Sequence, residues 1–408
     1  MAVLLTASLS GCRLERVRAI RPLQGNLYVA VGVSNDALDS ELEKDIRQNA
    51  SRLESSFRAL HPRVRLQVQV YPEDRLEPEL QVRNRAGLSP DLLLVNGTTA
   101  RELMGRRLIR PVRFPQRVTD ALDPVSVARL RRPDGTLLGL PTELQPQLAC
   151  FDRRRVRRSP TSLTELLEMS ARGMEVGLPI DAIDLAWTLG PLGALDSVGR
   201  ILQGQPVSGS MHAAVESWLR WIRAADQQQH ITFFANQTQL LDQLLTGSVD
   251  WIPCRSVTLT RLKARLGANV GVAPLPVGPG GPASPVSRER VLAFGVNSSP
   301  GQQQLAEALA RFAVTPLHQR ALVLGKRWVL PVNLEVTPPV SSSSVIAAMV
   351  ASQAMARRSG ASLQRLEGTS RRIQEGWQAV LTRYLFGDLP PEAAVDALIE
   401  LLQGREAS

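Results

Sequence analysis

The chain has 408 residues, of which 44% are hydrophobic and 21% charged, enough for two domains with separate cores. Its net charge of +10 is almost wholly arginine, since lysine occurs only at Lys44, Lys263 and Lys326. The dense cluster Arg153-Arg154-Arg155 with Arg157-Arg158 has no interleaved aromatic residue, which argues against a nucleic-acid partner and for a solvated loop or a contact with anionic headgroups.

At the N-terminus, Val3, Leu4, Leu5, Ala7 and Leu9 form a short apolar run that passes through Ser10 and Gly11 to Cys12. This run is similar to a bacterial lipobox, in which the cysteine sulfur is acylated and small neighbours admit a peptidase. Lipidation at Cys12 is therefore expected, with residues 1–12 as leader and 13–25 as an arginine-rich tether. No Lys or Arg precedes the apolar run, so the true start codon is expected upstream of Met1. Beyond this leader, no apolar stretch reaches membrane-spanning length.

Strands and helices then alternate. Residues 26–33 place Leu27, Val29, Val31 and Val33 on one face of a strand. Residues 40–60 predict a helix with Leu42, Ile46, Leu53, Phe57 and Leu60 on one side, and 63–70 a second alternating strand. A helix over 74–86, an apolar strand over 90–96 and a helix over 98–108 capped by Thr98 follow. This order predicts a doubly wound layer with ligands at the carboxyl ends of its strands.

Residues 137–141 and 148–151 are extended, and Ser162 with Glu165 forms a capping-box pattern. Strands are expected over 176–179, 249–254, 269–277 and 290–296, and helices over 212–225, 237–245 and 256–266. Residues 277–282 are a Gly/Pro loop, 301–324 two helices broken near Pro316, and 344–403 almost entirely helical. Cys150 and Cys254 sit in apolar strand-like runs and read as two buried thiols, although an oxidising compartment would also allow a bridge.

Four stretches are distinctive in combination. They are Ser89-Pro90-Asp91-Leu92-Leu93-Leu94; Gly139-Leu140-Pro141 with Leu148-Ala149-Cys150-Phe151-Asp152; and Pro160-Thr161-Ser162-Leu163-Thr164-Glu165-Leu166. The fourth is Phe294-Gly295-Val296-Asn297-Ser298-Ser299, then 306–312, 315–319 and Trp328-Val329-Leu330-Pro331-Val332. In this order, behind a lipobox, they resemble the extracellular solute-binding proteins of ABC importers, the family that includes maltose-binding protein. The resemblance implies an α/β fold: two doubly wound α/β lobes joined by a three-crossing hinge, the type II periplasmic-binding-protein fold, with a helical C-terminal extension. It implies a first lobe of residues 26–141 plus 286–329 and a second of 142–285 plus 330–408.

The resemblance also implies where a ligand would be read. In the first lobe these positions are Ser34 and Asn35 after the first strand, and Asn96, Thr98 and Thr99 after the third. At the crossover they are Glu143 and Gln145, polar residues in an apolar stretch. In the second lobe they are Asp184 and Trp187 at a helix start, Arg255 and Ser256 at a strand end, and Trp377, foremost of all, as a stacking platform for a sugar ring. Trp218 and Trp221 on an amphipathic helix, and Trp251 in mid-strand, read instead as core, while Trp328 sits just before the hinge.

An enzymatic reading has little support. There is no Walker loop, no HExxH and no Gly-x-Ser-x-Gly elbow, and His61, His212, His230 and His318 are scattered. No cofactor and no metal site is expected. The resemblance implies delivery of a carbohydrate or sugar-like osmolyte to a permease with a separate ATPase, by a lipid-anchored monomer on the periplasmic side of the inner membrane or the outer face of the cell membrane. An aromatic content of 4% favours a mono- or disaccharide or glycoside over a long oligosaccharide. The alternatives are another solute (a polyamine, peptide or metal complex) or a sensory lipoprotein.

Overall fold

The computed structural model describes residues 22–34, 40–325 and 328–404, so the lipidation call on Cys12 and the ligand call on Asn35 lie outside the described residues. The chain opens with β1 (Gln24–Val33), α1 (Ser40–Arg58), β2 (Arg63–Pro72), α2 (Glu73–Arg85), β3 (Leu92–Asn96) and α3 (Gly97–Gly105). Next come β4 (Ile109–Arg110), the short α4 (Gln116–Thr119) and α5 (Pro124–Leu130), and the long β5 (Leu140–Asp152). The middle of the chain forms α6 (Leu163–Ala171), β6 (Val176–Pro179), α7 (Ala182–Leu185), α8 (Leu195–Ile201), α9 (Gly209–Asp226) and β7 (Ile231–Phe234). It continues through α10 (Gln237–Thr246), β8 (Trp251–Arg255), α11 (Leu259–Leu266) and β9 (Val270–Ala273). The last part is β10 (Ser287–Gly295), α12 (Pro300–Ala313), α13 (Pro316–Val323), β11 (Leu330–Pro331), α14 (Ser344–Glu367), α15 (Arg371–Leu385) and α16 (Pro391–Leu402).

The strands form one continuous sheet in the order β2-β1-β3-β10-β5-β8-β6-β7. The same motif occurs twice in it. In the first half, β1 pairs in parallel with β2 and β3, and antiparallel β10 closes the group. In the second half, β6 pairs in parallel with β7 and β8, and antiparallel β5 closes it. Each closing strand arrives from the other half of the chain. The first part of β5 pairs with β10 and β11, and its last part with β8 and β9, so this strand belongs to both halves. Two doubly wound lobes joined by three crossings are the result.

Side-chain alternation explains why the halves join on one face and part on the other. Val29, Val31, Leu92, Leu94, Leu292 and Phe294 of the first half share a single core with Leu148, Cys150, Ile252 and Cys254 of the second. Helices α1, α10, α11 and α12 and the start of α14 cover that face. On the opposite face, Ala30, Leu93, Val95, Val291 and Ala293 pack separately under α2 and α3. There Ala149, Phe151, Val176 and Trp251 form their own cluster, and α8, α9, α15 and α16 another. A cleft opens between these separate cores.

Three local expectations change. Thr98 does not cap α3, because the N-cap position falls on Asn96, whose amide donates to Glu73 Oε2 at 2.5 Å rather than capping the helix. Ser162 does cap α6, but Glu165 bonds the backbone and hydroxyl of Thr161 (2.7 and 2.8 Å), so only half of the capping box forms. Cys150 and Cys254 are bridged rather than free. Antiparallel pairing sets Cys150 opposite Ile252 and Leu148 opposite Cys254, which puts both sulfurs on one face with Cα atoms 5.8 Å apart, inside the range a disulfide spans.

The helical C-terminus is interrupted where α14 passes Gly360, whose φ of +53° and ψ of −138° lie outside helical space. A side chain there would be strained, so the glycine permits the kink between the two helical segments.

Candidate functional site

A cavity of 390 Å³ lies in the cleft. Asn96, Gly97, Thr98, Arg101 and Glu102 line it from the start of α3, with Arg129 beside them from α5. The hinge strand supplies Ser287, Arg288 and Glu289, with Val286 just before it. The opposite wall is Ile183 together with Gln364, Glu367 and the turn from Gly368 to Arg371 and Gln374. Among the described residues no aromatic ring lines it. A Cβ on Gly97 would sit 2.2 Å from Glu289 Oε1, so a larger residue there would have to displace that carboxylate.

Parallel packing explains why polar groups gather at this edge: the carboxyl ends of β1 and β3 leave backbone and side chains unpaired at the crevice. Glu73 organises the first-lobe side. Its carboxylate accepts from Asn96 N (3.1 Å), Thr99 Oγ1 (2.6 Å) and Ser34 Oγ (3.4 Å). Arg290, a buried guanidinium on the hinge strand, donates to Asn96 Oδ1 (3.0 Å), Gly32 O (2.6 Å) and Leu94 O (2.9 Å). It thereby ties the hinge to the ends of both strands. At the other end of β3, Asp91 accepts from Tyr28 N (2.9 Å) and Ser298 Oγ (2.7 Å), so its role is to fasten β1 to the turn before α12.

An ion triad crosses the cleft. Arg129 Nη1 donates to Glu289 Oε2 (3.2 Å) and Ser287 O (3.0 Å), and its Nη2 lies 3.1 Å from Glu367 Oε2 at the end of α14. Two carboxylates thus share one guanidinium. Burial pushes the Glu367 carboxyl up from 4.5 to about 7 against the attraction of Arg129, with the Glu289 charge adding to the rise. The folded chain therefore holds a proton that the unfolded chain releases. Stability from this group is full below pH 4.5 and lost as pH rises through about 7, by about 3 kcal/mol in all. Glu367→Gln is expected to remove that slope and to be more stable than the parent above pH 7. Denaturant midpoints of both proteins across this range check it; parallel curves would refute it.

A second charged cluster flanks the second-lobe wall. Asp184 Oδ2 lies 2.5 Å from Arg255 Nη2, and its Oδ1 lies 3.3 Å from Arg255 Nε and 3.6 Å from Arg288 Nη2. Burial alone would raise this carboxyl, but the two guanidinium groups hold it below its ordinary value. Gln147 fixes the same segment by donating to Asp184 O at 2.7 Å. Asp181, partly buried and facing the Asp184 charge, is raised.

The structure brings only some of the sequence-predicted residues together. Asn96 and Thr98 line the cavity, and Ser34 joins Asn96 through Glu73. Asp184 and Arg255 pair with each other beside the cavity. Glu143 and Gln145 are buried in β5 and bond each other (3.1 Å); Glu143 borders a separate, apolar cavity of 140 Å³.

The two tryptophan platforms require correction. Trp377 is 0% exposed, packed edge-on against Trp218 with ring centroids 5.4 Å apart. Trp187 is equally buried, 6.2 Å from the Trp251 ring. Both helix faces around Trp377 are covered, since α15 packs on α7, α9 and α16 at once. A ring enclosed in this way presents no face to a ligand. Trp218 and Trp251 are core as expected, their indole N–H groups donating to Thr188 Oγ1 and Ser159 Oγ at 2.8 Å. Trp328 carries the Lys263 ammonium 3.8 Å above its ring.

Sequence reasoning missed Glu73, Arg129, Arg288, Glu289, Glu367 and Arg371. One signal was available: Arg288-Glu289-Arg290 places three consecutive charges at the start of a strand that is otherwise apolar. The others take their meaning from partners far away in the chain.

Fold and cleft together define a two-lobed binding protein of type II topology. Residues 55–349 match the family described as bacterial extracellular solute-binding protein, and the chain belongs to that family. Among solved structures, it is similar to the GacH receptor of Streptomyces glaucescens, determined unliganded and with acarbose (TM-score 0.71, 15% identity, covering 94% of this chain and 100% of that one). It is also similar to a tagatose-bound solute-binding protein of Thermotoga lettingae (TM-score 0.70, 15% identity, 93% and 99%). A third is the maltotriose-binding protein of Thermus thermophilus, with TM-score 0.70, 15% identity and coverage of 93% and 99%. No curated protein sequence matches the chain.

Proposed function

We propose that the chain is the substrate-binding component of an ABC importer, and that it captures a carbohydrate or sugar-like osmolyte between its lobes. The cavity carries this reading. It lies where two separately packed lobes face each other, and Thr98, Gln364, Thr369, Ser370 and Gln374 offer it hydroxyl and amide groups. Such groups match the alternating donors and acceptors of a polyol. Its 390 Å³ suits a small sugar, within the roughly 300–1,000 Å³ of ordinary ligand sites. Solved relatives named with acarbose, tagatose and maltotriose support the class. With no ring lining the cavity among the described residues, recognition proceeds through hydrogen bonds rather than stacking.

The proposal assigns residues 26–141 plus 286–329 to one lobe and 142–285 plus 330–408 to the other. Ligand favours the closed arrangement because both lobes contact it only there. A monomer anchored by lipid on Cys12, on the periplasmic side of the inner membrane or the outer face of the cell membrane, would hand the ligand to permease subunits served by a separate ATPase. Among the described residues no helix is long and apolar enough to cross a membrane.

A thermal-shift screen of sugars and polyols tests the reading, followed by solution scattering with the best hit. A true ligand at 100 times its Kd adds about 2.7 kcal/mol and raises the melting temperature. The radius of gyration should fall on binding. A panel with no hit would overturn the carbohydrate assignment, and an unchanged scattering profile at saturation would favour a sensory module without closure.

A further inference from the structure

We propose that the sugar taken by this cleft carries one anionic group, a carboxylate or a phosphate, held by Arg101, Arg288 and Arg371. The inference rests on the carbohydrate reading above and adds the charge of the ligand. Charge balance in the cavity is the first argument. Glu289 and Glu367 are both committed to Arg129, at 3.2 and 3.1 Å. Asp184 is committed to Arg255 at 2.5 Å and reaches Arg288 only at 3.6 Å. The Arg101 guanidinium makes one long bond, 3.3 Å to Arg129 O. Arg371, exposed at the start of α15, has the Glu102 carboxylate as its nearest charge partner and, against the rise that burial causes there, lowers it without a direct ion-pair contact. Among the described residues four guanidinium groups on the cavity wall (Arg101, Arg129, Arg288 and Arg371) face three carboxylates (Glu102, Glu289 and Glu367), and Glu367 is held first by Arg129, with Arg288 and Arg101 contributing less, so the wall keeps an excess of one positive charge.

The placement of Arg371 is the second argument. It is the first residue of α15, Arg372 follows, and the first turn holds no acid. A cation at a helix N-terminus opposes the macrodipole. Helix stability therefore does not account for Arg371, whereas an anion beside it would answer both the guanidinium and the exposed N–H groups. The start of α3, equally without an acid in its first turn, lines the same cavity from the other lobe. Arginines from the first lobe, the hinge and the second lobe thus converge on one space. An anion gripped from both sides would draw the lobes together, and bidentate guanidinium contacts would orient the sugar ring.

Calorimetry should compare galacturonate with galactose and glucose 6-phosphate with glucose, at low and high salt, on the full chain and on Arg371→Gln, Arg288→Gln and Arg371→Lys. One anionic member is expected to bind about 10- to 100-fold tighter than its neutral parent, the span of one charge-assisted contact. Which pair shows the gap names the anion. The gap should narrow at high salt, close in either glutamine variant and partly return in Arg371→Lys. Equal or tighter binding of the neutral parents would overturn the proposal and leave the carbohydrate reading standing. A gap untouched by both glutamine variants would overturn the arginine assignment. Failure of all four probes to bind, anionic and neutral alike, would count against both readings.

Discussion

Removal of the Cys150–Cys254 bridge in a Cys150→Ala/Cys254→Ala variant is expected to cost about 4–5 kcal/mol. The two cysteines are separated by 104 positions, so the unfolded chain regains a long loop's worth of freedom. The bridge also ties β5, which belongs to both lobes, to β8 of the second lobe. Guanidinium unfolding should show a lower midpoint for the variant than for the oxidised parent. Reduced parent protein should approach the variant once both sulfurs, which are buried, become accessible on unfolding. Coincident curves for variant and oxidised parent would mean that the bridge adds nothing to stability.

Trp377→Ala is expected to lose about 3–5 kcal/mol of stability, as for other truncations of buried aromatic residues. The ring is among the largest fully buried side chains and contacts Trp218 in the cluster that joins α9, α15 and α16. Affinity for ligand should stay near that of the parent at temperatures where the variant remains folded, because the ring does not line the cavity. Calorimetry on the folded variant and a denaturant curve separate the two effects. A variant of normal stability with lost affinity would return Trp377 to the ligand.

Much of the architecture was legible before any coordinates. Alternation at Leu27, Val29, Val31 and Val33 identified β1, the apolar run closed by Asn96 identified β3, and Ser162 located the start of α6. These signals are local: a period of two or a capping side chain acts within a few residues. The order of such elements was enough to indicate a doubly wound layer, while the second lobe and the positions Asn96 and Thr98, which line the cavity, came from the family resemblance.

The chemistry of the cleft was decided elsewhere. Arg129 is paired with Glu289 and Glu367, residues 160 and 238 positions away, and no periodicity encodes such partners. The disulfide likewise depended on the register of β5 against β8, which sets both cysteines on one face. Trp377 shows the same limit most plainly. Its helix carries an evident apolar stripe of Ile373, Val380, Leu381 and Tyr384, which left the tryptophan free for another role. Periodicity reports that one face of a helix is buried, but not how many neighbours surround it, and α7, α9 and α16 enclose this helix widely enough to take in the ring. The sequence by itself determined the elements, their order and the strand ends that open onto the cleft. Tertiary structure alone decided which charges meet there and which rings are sealed away, because those outcomes depend on contacts between segments that local patterning does not link.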